Sequence, residues 1–167
     1  MNMSRRGLTW FGCLLIAAGL CGCFESSVPL SPPGKVHRDG ALVGSWRCGS
    51  NDAKSNDAAI LQVFPFDDAQ YYAEWTENEE TTRYRAYGSR AGDVILLNIQ
   101  GLTAGSSAGT WLFLRYRLDP PGTLKIALVS NESLKGLDES AALKAIRRRA
   151  ADDTLYESWT TCSRQET

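Results

Sequence analysis

The chain of 167 residues is close to neutral, with 18 Lys and Arg against 19 Asp and Glu. Binding to nucleic acid through its phosphates needs a basic surface, and this balance argues against one. The length fits one domain that buries a core without many disulfides or metals.

The chain begins with a short apolar run behind two arginines. Residues 8–20 are too few to span a bilayer, so the run is typical of a secretory signal. It ends on the sequence Leu-Cys-Gly-Cys at residues 20–23, which resembles the signal of bacterial lipoproteins. That resemblance implies a signal peptide at residues 1–22 and a lipid, such as palmitate, on Cys23. A cleaved soluble protein and an uncleaved membrane anchor are the alternatives.

The residues after Cys23 set the expected location and reach of the anchor. Phe24 comes next rather than an aspartate, and resemblance to sorted lipoproteins then implies the periplasmic face of the outer membrane. Residues 23–40 are rich in Pro and Ser and lack a helical or strand period, which predicts a flexible tether. As a random coil, this tether would hold the domain about 25 Å from the membrane.

Cys48 and Cys162 lie near opposite ends of residues 41–165, the expected folded domain. An exported chain meets an oxidising compartment, so these two cysteines predict a structural disulfide. The alternative is a pair of reactive thiols. Neither cysteine has a neighbouring His or a Cys-x-x-Cys spacing, so the sequence favours the disulfide.

From residue 42 onward, apolar residues alternate with a period of two in short runs between turn residues. This pattern indicates an antiparallel all-β domain. One helix is predicted before the last run, from an N-cap at Asp138 to about residue 151. The predicted fold is an eight-stranded antiparallel barrel with strands at residues 42–48, 59–66, 70–76, 82–87, 94–100, 110–118, 123–130 and 156–162.

The first predicted strand carries Gly44-Ser45-Trp46, which resembles the Gly-x-Trp motif of lipocalin and calycin barrels. In those barrels a late Arg packs over the Trp, and Arg164 is the candidate here. The register leads to the same pair: if the two cysteines face each other on antiparallel first and last strands, Trp46 lies opposite Arg164. The domain as a whole resembles small bacterial lipoproteins of unknown function with a lipocalin-like β-barrel, most clearly at residues 94–100, 111–118 and 124–128.

The sequence contains no recognisable catalytic constellation. Its single histidine, His37, lies in the predicted tether, so a Ser-His-Asp or Cys-His site is not expected. Acidic pairs at residues 67–68, 79–80 and 152–153 fall in turns without metal-ligand spacing. Paired carboxylates could serve a glycosidase, but these lie at strand ends rather than on a rigid interior face. We therefore expect neither an enzyme nor a bound cofactor or metal.

Binding of a small apolar ligand inside the barrel is the expected function. A small barrel either fills its interior with side chains or leaves room for one ligand. The alternative is an interaction or inhibitor module of the cell envelope, acting through an outer face with Tyr72, Tyr87, Trp111 and Phe113 among arginines. The candidate interior residues, which form a ligand pocket or only pack against one another, are Tyr71, Trp75, Tyr84, Leu112, Leu114 and Tyr116.

Overall fold

The structure is a computed structural model that describes residues 22–49, 58–102, 109–120 and 122–165. Residues 1–21 of the predicted signal peptide lie outside this part of the chain. Within the described residues, a helix, α1 (Glu139–Arg149), precedes the last strand. The strands are β1 (Gly44–Cys48), β2 (Ala59–Pro65), β3 (Gln70–Glu77), β4 (Glu80–Ala91), β5 (Val94–Gly101), β6 (Trp111–Asp119), β7 (Thr123–Leu128) and β8 (Thr160–Arg164).

The strands form a closed barrel in which each strand pairs antiparallel with its neighbours in the chain, and β8 returns to pair with β1. Closure satisfies the hydrogen-bonding groups of strands that an open sheet would leave as edges. The predicted fold class, an eight-stranded antiparallel barrel with one helix before the last strand, is therefore confirmed. No helix among the described residues is both long and apolar enough to cross a membrane.

Two strands differ from their predicted bounds by four residues at one end, and the others by at most two. β4 continues past the predicted end at residue 87, and its last residues pair with β5 through Ala91 and Val94. Gly88 therefore lies inside the strand, where a Cβ atom would come within 3.0 Å of the Val36 side chain. β8 begins four residues later than predicted, because Tyr156 belongs to a short connection and its hydroxyl donates to the Ala150 carbonyl oxygen at 2.6 Å.

The predicted disulfide between Cys48 and Cys162 is present and joins the first strand to the last. The two residues are partners in the β1–β8 register and both side chains are buried. Their separation of 114 residues closes most of the domain into one loop. In the chain-entropy treatment, a loop of this size stabilises the folded state by about 4 to 5 kcal/mol, less any strain.

Apolar side chains form two cores, one on each side of the barrel wall. The inner core lies within the barrel and includes Trp46 and Leu124. The outer core lies beneath α1, which buries Leu143 and Ile146 against the wall. The helix begins as predicted, because the Asp138 side chain accepts a hydrogen bond from the Ala141 N–H at 2.8 Å.

The prediction of a flexible tether is wrong for most of its length. Residues 22–39, called the strap below, run along the outside of the barrel. Ser26 exchanges two backbone hydrogen bonds with Trp111, at 2.9 and 2.8 Å, and the Leu30 N–H donates to the buried Asn98 side chain at 2.8 Å. The strap contacts the barrel mostly through single hydrogen bonds to residues that are distant in the chain. Such contacts produce no periodic sequence pattern, so the sequence alone did not reveal them.

The strap also changes the surface predicted for the outer face of the barrel. Tyr87, Trp111 and Phe113 are 1%, 9% and 0% exposed, because they belong to the outer core between the wall, the helix and the strap. The prediction that these three aromatics form an exposed interaction surface is therefore wrong. Tyr72 does lie on the outside, where its ring is 6.0 Å from that of Phe64.

Candidate functional site: the barrel cavity

The barrel encloses an apolar cavity of about 410 Å³. Side chains on alternate positions of the strands point into it, as the period of two requires. The structure brings all of the predicted interior residues to its wall: Tyr71, Trp75, Tyr84, Leu112, Leu114 and Tyr116.

Further residues that line the cavity were not among the predicted pocket residues. All but Ala127 share the same alternation, which was the available signal, but most are aliphatic or small and so resemble ordinary core positions. This additional apolar part of the wall consists of Leu61, Val63, Ala73, Ala86, Leu97, Ile99, Leu124, Ile126, Ala127 and Leu128.

Pairing of large with small residues leaves the interior unfilled. Across β3 and β4, Tyr71 lies opposite Ala86 and Ala73 lies opposite Tyr84. Two large rings at directly opposed positions would meet, whereas a ring facing a methyl group leaves space beside it. The register of these two strands is therefore one reason why a cavity remains.

The residues that precede β1 close one end of the cavity. Leu42 lines the cavity and is only 3% exposed. The indole N–H of the fully buried Trp46 donates to the Leu42 carbonyl oxygen at 2.9 Å, which holds Leu42 in place. Because Leu42 is held by backbone as well as by packing, this end forms a fixed floor.

Arg164 braces the floor from outside, in the position that the sequence predicts. Its guanidinium carbon lies 4.2 Å from the centre of the Trp46 ring. The same guanidinium donates to the carbonyl oxygens of Val43, at 3.0 Å, and Ala41, at 2.6 Å. At Gly44, whose φ is +138°, a Cβ atom would come within 2.6 Å of this guanidinium, so the glycine permits the close approach.

Asp39 joins the hydroxyls of Tyr71 and Tyr116. The Asp39 N–H donates to the Tyr71 hydroxyl at 2.6 Å, and the Tyr116 hydroxyl donates to the Asp39 carboxylate at 3.2 Å. Burial raises the pKa of Tyr71 to about 12, and burial with the nearby Asp39 charge raises the pKa of Tyr116 further. Both phenols are therefore uncharged at physiological pH, so this part of the wall presents neutral rings to the cavity.

The opposite end of the cavity reaches the protein surface. There the wall includes Cys23 from the strap, Glu157 and Ser158 from the segment that leads into β8, and Thr160, the first residue of β8. Ser158 lines the cavity and is also exposed, so this end is its mouth. The Glu157 N–H donates to the Leu128 carbonyl oxygen at 2.8 Å, which holds this segment against the end of β7.

The described wall of the cavity lacks the basic side chains that a site for an anion usually has. Among the described lining residues, Glu157 is the only one with a carboxylic acid side chain, and none is Lys, Arg or His. A buried ligand charge needs a partner or hydrogen bonds to offset its loss of hydration. The wall is therefore suited to an uncharged apolar molecule.

In the acidic pair at residues 67–68, Asp67 stabilises a turn. Asp67 accepts hydrogen bonds from the N–H groups of Ala69 and Gln70, both at 2.8 Å, and these lower the pKa of its carboxyl. In the part of the chain with described coordinates, no group of three or more His, Cys, Asp or Glu is placed to hold a metal ion. His37 is exposed on the strap.

The arginines of the predicted interaction surface hold the segment after α1 against β6. Arg115 and Arg117 both form ion pairs with Asp153, at 2.8 and 2.5 Å. Arg117 also lies over the Trp159 ring, 4.4 Å from its centre, and Arg115 lies 5.5 Å from the centre of the Tyr156 ring. These side chains therefore have partners within the domain.

No family model, curated protein or solved structure matches this chain. The barrel itself is consistent with a lipocalin-like fold.

Proposed function

We propose that this protein is a lipid-anchored lipoprotein of the bacterial cell envelope that holds a small apolar ligand in its barrel and catalyses no reaction. The observation that carries the proposal is the apolar cavity of about 410 Å³. Side chains around an empty apolar space lack packing partners on one side, and an apolar ligand restores those contacts. Eight-stranded barrels are wide enough for this purpose.

The anchor in this proposal is a lipid on Cys23, at the periplasmic face of the outer membrane. Its support is the basic and apolar order of the first residues, the Leu-Cys-Gly-Cys sequence and the phenylalanine at position 24. The closed barrel agrees with the resemblance to lipoproteins that carry a lipocalin-like domain.

An interaction module acting through the outer face would need a different surface from the one predicted. Trp111 and Phe113 are buried, whereas Phe64 and Phe66 on the β2–β3 hairpin are 42% and 70% exposed. Two exposed rings offer about 400 Å² of contact area, which is less than the roughly 800 Å² per partner that a stable interface buries. The cavity therefore supports the ligand-binding function better.

The uncharged fluorescent probe N-phenyl-1-naphthylamine tests ligand binding directly. We expect the purified chain of residues 23–167, with Cys23→Ser so that it carries no lipid and otherwise unmodified, to bind about one equivalent. Leu114→Trp in the same chain should abolish binding, because the larger ring fills the cavity. Leu137→Trp is the matched control, since it adds the same ring at an exposed position before α1. It should bind the probe as the unmodified protein does.

Circular dichroism should show that both variants keep the fold. If the unmodified protein binds no probe and Leu114→Trp only destabilises it, the interior is a packed core and the proposal fails. If the protein does bind the probe, organic extraction of the protein from its own membrane, followed by mass spectrometry, would identify the natural ligand.

A further inference from the structure

The strap determines where the proposed anchor lies relative to the cavity. Cys23 lines the cavity mouth and forms a backbone bridge with Ser130, next to the end of β7. The next residue is also fixed, because the Phe24 N–H donates to the Val129 carbonyl oxygen at 2.9 Å. A lipid on Cys23 would thus be held at the mouth rather than at the end of a long tether.

Further contacts along the strap remove the slack that a tether would provide. The Ser26 and Ser27 hydroxyls donate to the Glu139 carboxylate at 2.8 and 2.9 Å, and the Ser27 N–H donates to the same carboxylate. With Cys23 in the membrane surface and the strap docked, the mouth faces the bilayer. A ligand can then pass between membrane and cavity without crossing water.

The composition of the wall selects among membrane components. A free fatty acid would bring a carboxylate to a wall that contains Glu157 and no described cation. Like charges at close range repel, and burial away from water strengthens the repulsion. An acyl chain in an ester or amide carries no such charge.

We propose that the cavity takes an uncharged acyl chain, which enters from the membrane through the mouth beside Cys23. This inference rests on the proposed function for its anchor and its apolar site. Two sources share the chemistry: a chain of the lipid on Cys23, and a chain of a neighbouring phospholipid. The first has the advantage of attachment, which gives it an effective concentration in the millimolar range.

A pair of probes with the same acyl chain, one charged and one a neutral ester, tests the chemistry of the ligand. Parinaric acid and its methyl ester are fluorescent, and only the acid ionises at pH 8. The protein for this test is the mature chain, residues 23–167, with Cys23→Ser, exported behind a signal that is cleaved without lipid attachment. We expect it to bind the ester at least about tenfold more tightly than the acid.

Glu157→Gln should narrow that difference by strengthening binding of the acid and leaving the ester unchanged. Glu132→Gln is the matched control, since Glu132 is exposed and outside the cavity wall, and it should leave both affinities unchanged. Equal affinity for acid and ester, or a difference that persists in Glu157→Gln, would overturn the inference and leave ligand binding intact. Absence of binding by both probes would instead reject the proposed function.

The lipid-modified protein, reconstituted in phosphatidylcholine vesicles, distinguishes the two sources. If the chain on Cys23 occupies the cavity, this protein should exclude the methyl ester that the Cys23→Ser chain binds. If a phospholipid chain occupies it, the protein should release about one equivalent of phospholipid when the ester displaces it. Free uptake of the ester with no phospholipid released would mean that no membrane acyl chain resides in the cavity, contrary to the inference.

Discussion

Arg164 lies over the indole ring of Trp46, with its guanidinium carbon 4.2 Å from the ring centre. The contact closes the seam between β1 and β8, where the two residues are register partners. It also connects the seam to the cavity, since the Trp46 indole holds the carbonyl oxygen of Leu42, a residue of the cavity floor.

Arg164→Ala should lower the free energy of unfolding by about 1 kcal/mol, because it removes the cation over the ring and two hydrogen bonds to backbone carbonyls. The denaturant midpoint should fall while the slope stays constant. Arg148→Ala is the control, because that side chain is exposed near the end of α1. Equal midpoints for the two variants would show that the contact does not stabilise the barrel.

Cys48 and Cys162 should be protected from thiol reagents in the exported protein. In the mature chain, residues 23–167 with Cys23→Ser, exported behind a signal that is cleaved without lipid attachment, denatured and unreduced protein should take up no label, and reduction should expose two thiols. Replacement of both cysteines by serine should lower the free energy of unfolding by about 4 kcal/mol, because the unfolded chain regains its freedom. Stoichiometric labelling without reduction would contradict the disulfide.

If the proposed lipid anchor is correct, Cys23→Ala should leave an unprocessed precursor in the membrane fraction, because cleavage at a lipoprotein signal requires the modified cysteine. Cys21→Ala should mature normally, since bulky Leu20 makes that cysteine a poor site. Electrophoretic mobility and partition into detergent measure both properties. A Cys23→Ala protein of mature mobility that still partitions into detergent would argue against the lipid anchor.

The docking of the strap should weaken in acid through Glu139. Hydrogen bonds from the Ser27 N–H and the serine hydroxyls lower the pKa of Glu139 below its ordinary 4.5. Because the pKa of Glu139 is lower in the folded state than in the unfolded state, its ionised carboxylate stabilises the folded state fully when the pH is above the ordinary pKa. This stabilisation is lost as the pH falls through the lowered pKa. Protection of strap amides from hydrogen exchange should therefore decrease between pH 5 and the lowered pKa.

Glu139→Gln should show weaker protection of the strap at pH 7 and a smaller change in acid. Glu132→Gln again serves as the control, because its carboxylate contacts only Lys135 among the described side chains. Strap protection that is the same in all three proteins at every pH would show that the carboxylate does not hold the strap.

The strands and the interior of the barrel could be predicted because they depend on local alternation. Tyr71 and Trp75 share one face of β3 whatever the rest of the chain does, since side chains two residues apart point the same way. The contact of Trp46 with Arg164 was also within reach, because a disulfide fixes the register of two strands and thereby every pair along them.

The strap, the buried outer aromatics and the open interior were decided by the tertiary structure. Phe113 reads as an exposed residue because it alternates with Leu112 and Leu114, and only the second layer of helix and strap buries it. The cavity depends on Tyr71 facing Ala86 across two strands, a match that neither strand encodes alone. Cys23 reaches the cavity mouth for the same reason: its position is set by a bridge to Ser130, 107 residues away, and local patterns do not carry contacts at that separation.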